Sequence, residues 1–172
     1  MAEVVVYIAH SVDGFIADRS GGLDFLKPFD GYDFGYDAFI AKIDAVIMGA
    51  NTYRACRTFS DWPYPGRSAI VMTKGPPIDG DGYAVFDGRT PAEIMEDVIQ
   101  AGRRRIFVVG GGGVVRAFID ARLVKKLILF QIPVVLGGGA PLWPPGRRSV
   151  PLTLVKAAAH RNGVVETEYD IS

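Results

Sequence analysis

Sulfur chemistry is almost missing from this chain. Its 172 residues include one cysteine, Cys56, so no intrachain disulfide can form and no cysteine-rich metal site can be built. An oxidising compartment is not required, and the expectation is a cytoplasmic protein. Net charge is missing too: Lys plus Arg is 19, Asp plus Glu is 19, and the formal charge is zero. That removes the whole-molecule attraction on which nucleic-acid and anionic-membrane binders rely. Long apolar runs are also lacking. The first one, Val4 to Ala9, is too short for a leader core, and none approaches the ~20 residues of a membrane span. The two histidines, His10 and His160, have no sequence partners for a metal site or a triad. A small-molecule partner is expected, with no nucleic acid, membrane or metal.

What is present is globular: 49% apolar and 22% charged residues, in a length that suits one domain over 1–172. Val4–Ala9, Ala45–Met48, Ser68–Met72 and Arg105–Val109 are short apolar or β-branched runs that read as strands. Tyr83–Phe86 reads as a shorter one. Helices are expected over Asp33–Ile43 from the spacing of Tyr36, Phe39, Ile40 and Ile43, over Thr52–Thr58, and over Val114–Ala121. Another helix opens at Thr90-Pro91-Ala92-Glu93, where Thr90 can cap, Pro91 suits the first turn and Glu93 completes a capping box; Gly102 closes it. Residues 18–32 and 74–82 read as loops. Leu123–Val135 reads as a strand in which Pro133 marks a bulge or an edge. Leu152–Ala158 and Val164–Ile171 flank Asn162-Gly163, a hairpin signal. The order implies an α/β fold: a mostly parallel mixed sheet with an antiparallel C-terminal hairpin.

The strongest chemical signal is a strand running into Gly110-Gly111-Gly112-Gly113 and then a helix. A helix N-terminus leaves N–H groups unpaired, and glycine lets a phosphate reach them, so this junction suits a diphosphate. It is not a Rossmann fingerprint, because Val115 and Arg116 stand where the third glycine would fall. Met48-Gly49-Ala50-Asn51-Thr52-Tyr53 is a second strand-to-helix junction, with Asn51 and Thr52 able to cap. Gly137-Gly138-Gly139 opens no helix and reads as a structural loop. Asp13, Asp18, Asp24, Asp33 and Asp37 cluster in sequence; an acid buried in a cleft at the helix start would have the raised pKa of a proton donor.

Taken together, Ser11-Val12-Asp13-Gly14-Phe15-Ile16-Ala17, Ile47–Tyr53, Val108–Gly112 and Ile132–Leu142 resemble, in order and spacing, the dihydrofolate-reductase-like superfamily. The resemblance spans nearly the whole chain. It is closest to the reductase half of the bifunctional riboflavin-biosynthesis deaminase–reductase and its stand-alone relatives. It implies a three-layer fold and hydride transfer from NADPH to a pyrimidine or pterin-like heterocycle, such as 5-amino-6-(5-phosphoribosylamino)uracil. By that resemblance Ala9 and Ile16 border the nicotinamide, and Gly49, Asn51 and Thr52 hold phosphate. Thr73 and Lys74 lie near the adenosine ribose, and the stretch Val109, Gly110, Gly111, Gly112, Gly113, Val114 cradles the diphosphate across a cis Gly-Gly bond. Ala50 stands where many relatives carry a basic residue for the 2′-phosphate, which leaves NADH open unless Arg54 or Lys74 substitutes. Ungapped counting from Gly49 makes Asp33 the catalytic acid, with Asp37 as competitor. Arg54, Arg57 and Arg67 are the candidates for a substrate phosphate. The tryptophan that follows the first loop in dihydrofolate reductases is absent, so folate is the second choice of substrate. A non-catalytic nucleotide-binding dimer of the same fold is the alternative to an enzyme. A homodimer through the C-terminal ribbon is expected, because an apolar sheet edge invites pairing.

Overall fold

The computed structural model describes residues 2–74, 78–79 and 82–172. Its centre is a strand with no polar interruption: β1 (Glu3–Ser11), whose Val4 and Val6 face one side of the sheet while Tyr7 faces the other. Burial on both faces is what a continuous apolar run demands. Around it stand β3 (Ala45–Gly49), β4 (Ser68–Met72), β6 (Val85–Asp87), β7 (Arg105–Gly110) and β8 (Val124–Ile132), all parallel to it. With β5 (Ile78–Asp79), β10 (Leu152–Ala159) and β11 (Val165–Ile171), they form a nine-stranded sheet in the order β10-β11-β8-β1-β7-β3-β4-β6-β5. The antiparallel hairpin at one end is the one that Asn162-Gly163 signals; Val164 N–H donates to Asn162 Oδ1 at 3.2 Å in its turn.

Helices cover both faces and make three layers. α3 (Pro91–Gln100) and α4 (Gly112–Asp120) seat Ile94, Val98 and Phe118 on Val6, Ile47 and Val108. α1 (Tyr36–Ile40) and α2 (Ala50–Cys56) seat Phe39 and Tyr53 on Val46, Met48 and Phe107. Thr90 and Glu93 form the expected reciprocal cap, and Gly102 follows the end of α3 in a left-handed conformation.

Four local readings need correction. The helix expected over Asp33–Ile43 is only α1, because Gly35, at φ 79°, sets its start. The stretch read as loop contains a 3-10 helix, Asp24–Phe29, whose rings close over the sheet. β8 ends at Ile132, so Pro133 terminates a central strand rather than bulging within it. The short strand expected over Tyr83–Phe86 is Val85–Asp87, and most of the loop expected over 74–82 lies outside the described residues. One pairing escaped the sequence altogether: β2 (Phe15–Ala17) pairs antiparallel with β9 (Ala140–Pro141).

Candidate active site

Because the central strands are parallel, their C-terminal ends share one edge, where open α/β sheets take ligands. Gly49 ends β3 there and Gly110 ends β7. A β-carbon on Gly49 would lie 3.2 Å from Val114 Cγ2 and 3.8 Å from Gly111 N, so the two turns face each other. A β-carbon on Gly111 would lie 3.7 Å from Ile16 Cδ1 and 3.9 Å from Thr52 Oγ1. Gly49, Thr52, Gly110, Gly111, Val114 and Ile16, separated by up to about a hundred residues, thus line one small volume. The Gly110–Gly111 peptide is cis, as the resemblance implies.

The helix starts differ in how their N–H groups are satisfied. α3 is closed by its own capping box. Neither α2 nor α4 has a side-chain cap: Gly49 and Gly111 occupy the cap positions. Above Gly113 a β-carbon would meet nothing within 4 Å. Asn51, read as a cap, instead accepts a hydrogen bond from Arg54. Two uncapped N-termini facing a glycine-lined gap fit a diphosphate, whose charge and acceptor oxygens complete both.

The scaffold beneath is tight. A β-carbon on Gly112 would sit 2.1 Å from Pro141 O, so α4 begins directly on the backbone of β9. Leu142, fully buried, donates its N–H to Gly14 O at 2.9 Å. Asp13 ties the same loops together, accepting from Ser11 Oγ at 2.6 Å, Gly137 N at 2.8 Å and Leu136 N at 3.0 Å. The Ser11 hydroxyl first, and then these amides, hold the Asp13 carboxyl down at about 2. The loop 11–17 is therefore fixed to the loop 133–142, and that loop to the start of α4. Gly139 packs against Ala17 O, where a β-carbon would lie 2.0 Å away, which agrees with a structural reading of the third glycine cluster. Asp13 and Leu142 were missed as site supports; the turn dipeptide Asp13-Gly14 was the available signal.

The other expected residues divide. Thr73 directly follows β4 and donates its N–H to Asp87 O at 3.0 Å, and Lys74 is exposed beside it, both at the edge that carries Gly49. Ala9 lies on β1 next to Phe130, on the α1 side of the sheet. Ala50 is the first residue of α2, and Arg54 stays with Asn51 at that helix start. Arg57 follows α2, its guanidinium 4.0 Å from the centre of the Tyr83 ring. Arg67 is a correction. It precedes β4, at the opposite edge of the sheet, and binds Ile40 O through Nη2 at 2.6 Å and Pro65 O at 2.9 Å. It clamps α1 to the sheet and is badly placed for a substrate phosphate.

Asp33 and Asp37 are also not where a buried acid belongs, since both are exposed. Asp33 Oδ1 accepts from Gly35 N at 2.7 Å, which starts α1. Of the two, Asp33 is the one whose charge reaches Tyr7 on the α1 face: burial, then Glu166, Tyr36 and Asp33, push the Tyr7 hydroxyl far up. Volume alone would favour a cleft away from the glycine turns. One of 630 Å³ lies between β4, β6 and α3, lined by Ile70, Val85 and Val98, and touches neither glycine turn. A smaller groove of 400 Å³ runs from Gly113 and Ala117 of α4 to Thr90 and Pro91 of α3, and so borders the uncapped helix. No cluster of metal-binding side chains occurs among the described residues, nor is any described helix long and apolar enough to cross a membrane.

A three-layer sheet with two glycine turns at the strand ends is a dihydrofolate-reductase-like fold. Dihydrofolate reductase from Enterococcus faecalis, complexed with NADP(H), superposes with a TM-score of 0.65 at 17% identity, over 99% of this chain and 96% of that one. More specifically, the chain belongs to the RibD C-terminal domain family, whose model matches residues 70–165. It is 33% identical to the uncharacterized protein YwjB of Bacillus subtilis (strain 168) over 82% of both chains. A protein of Shewanella sp. PV-4 named for riboflavin biosynthesis is 27% identical and superposes with a TM-score of 0.90, over 100% of this chain and 99% of that one.

Proposed function

We propose that this protein is an NADPH-dependent reductase acting on a pyrimidine or pterin-like heterocycle of the riboflavin-pathway type. The observation that carries this reading is the contrast among helix starts: α3 is closed by its own side chains, while α2 and α4 present open N-termini across Gly49 and Gly111. Membership of the RibD C-terminal domain family supports it. The diphosphate would be held by the amides of Gly111 to Gly113 and by Thr52, with Val114 closing the turn through its own bond to Gly111 O; Ala9 and Ile16 would border the nicotinamide, which supplies the hydride. Arg54, held at the start of α2, and Lys74 are the cations that would favour NADPH over NADH in place of the basic residue lacking at Ala50. Asp33, one residue before the Phe34 carbonyl that accepts from Tyr7, would deliver the proton, with the bound substrate rather than the protein covering its carboxyl. Calorimetric titration with NADPH and with NADH tests the reading: saturable binding, tighter for NADPH, is expected. No binding of either at millimolar concentration would sink it.

The same proposal includes a homodimer. β10 is an edge strand with Leu152, Leu154 and Val155 exposed, an apolar edge of the kind that pairs. Sedimentation at micromolar concentration is expected to give twice the 18.6 kDa chain mass, and a single species at 18.6 kDa would exclude the dimer.

A further inference from the structure

His160 has no role in the reading above, yet its side chain is largely enclosed, only 18% exposed. It follows β10 at the hairpin turn, held by its own backbone: its N–H donates to Val164 O at 2.8 Å, and Gly163 N–H donates to its carbonyl at 3.0 Å. Its Nε2 lies 3.0 Å from Glu166 Oε2, while Lys156 Nζ takes the other carboxylate oxygen at 2.6 Å. Glu166 is only 7% exposed. A buried carboxylate engaged on both oxygens is a rigid anchor, and an ionised one accepts only, so the His160 Nε2 carries a proton. Burial pushes the Glu166 carboxyl up, but its bonds to Lys156 and His160 outweigh this and leave it below the usual range.

Two rings meet His160 edge-on: Tyr32 at 5.7 Å and 90°, and Phe34 at 5.1 Å and 78°. Asp33 lies between them in the chain. Phe34 is gripped from further sides: its ring meets Phe130 at 5.4 Å, and its carbonyl accepts from Tyr7 Oη at 3.0 Å. Phe130 is the β8 neighbour of Ala9, so this cluster lies beside the place assigned to the nicotinamide. The segment 30–35 otherwise has little regular structure, running between the 3-10 helix and α1.

The geometry points to His160, oriented by Glu166, as a positioning residue that seats the Tyr32–Phe34 segment and so fixes Asp33 at the substrate-side face. This rests on the reading of Asp33 as proton donor. It makes the C-terminal hairpin part of the reductase machinery as well as an edge for pairing. Nothing here requires His160 to touch the substrate. Its contribution is a wall against which two aromatic edges lock.

The Gly35 amide, bonded to Asp33 Oδ1, reports the seat directly. Amide hydrogen exchange is to be measured on the full-length chain as wild type, His160→Ala, His160→Phe and Glu166→Gln, with NADPH affinity and turnover on the same samples. His160→Ala is expected to speed exchange at Gly35 at least tenfold while amides of β8 stay protected, which shows that the fold is intact. His160→Phe keeps a ring between Tyr32 and Phe34 and should recover most of that protection; Glu166→Gln should fall between. Turnover should fall about tenfold in His160→Ala, with NADPH affinity within twofold of wild type. Unchanged Gly35 exchange in His160→Ala overturns the proposal. So does a loosened segment with full turnover, because Asp33 then needs no seating. If the wild type neither binds nor oxidises NADPH, the reductase reading fails, and Gly35 exchange still decides whether His160 seats the segment.

Discussion

The two sides of the site are made of different material. The side assigned to the diphosphate is backbone: two strand ends, two helix starts, and glycines where a single β-carbon would strike a neighbour. The side assigned to the substrate is side chain: Tyr7, Phe34, Phe39 and Phe130 in ring contact, backed by His160 and Glu166. Backbone surfaces offer a ligand the same N–H groups whatever the neighbouring side chains, so they suit a shared cofactor. Side-chain surfaces change with every substitution, so they suit a ligand that differs between relatives.

The difference can be broken by experiment. Adding one methyl group to the backbone side should cost more than deleting a whole ring from the other. Gly112→Ala drives a β-carbon to 2.1 Å from Pro141 O, a clash with backbone that cannot rotate away. About 3 kcal/mol of destabilisation is expected, with loss of NADPH binding. Phe34→Ala removes a half-buried ring and should cost about 2 kcal/mol, leaving NADPH affinity intact. Urea unfolding of both variants gives the order, and the reverse order would mean that the glycine turn can yield.

A smaller effect sharpens the picture at the join between the loops. Asp13 is held at about 2, below its ordinary 3.8. A depressed acid contributes stability that is fully present above the unfolded value and is lost as pH falls through the folded one. Thermal stability of the wild type should therefore decline between pH ~4 and pH ~2. Asp13→Asn should be less stable near neutrality but show a shallower decline over the same window. Identical acid limbs in melting curves would remove Asp13 from the account.

Legibility followed the same division. The turns at Gly49 and Gly110, the capping box at Thr90 and the hairpin at Asn162 could be read directly, because each is chemistry between residues a few positions apart. The edge on which Arg67 falls could not be read, since sequence nearness to Arg54 says nothing about which end of a strand a residue occupies. Nor could the pairing of Phe15–Ala17 with Ala140–Pro141, which rests on contacts across more than a hundred residues. Counting proposes Asp33 as the acid, but its exposure could not be read, because the 3-10 helix and Gly35 end the helical spacing that would have buried it. His160 looked like an ordinary turn residue until Glu166 and the two rings stood around it.

The strand order also governs how the molecule is made. β1 precedes every other strand of the sheet in the chain, yet its two sheet neighbours are β7 and β8, which begin at Arg105 and Val124. Until those segments emerge, Val4 and Val6 lack their neighbouring strands, and within the sheet only β3, β4, β5 and β6 can begin to pair. Contacts of such long range are slow to close, and the chain stays exposed to aggregation while they are open. Insertion of β1 between β7 and β8 is thus the late step of folding. Gly110 and Ala9 come onto neighbouring strands only once it is done, so the fold and the proposed site form in one event.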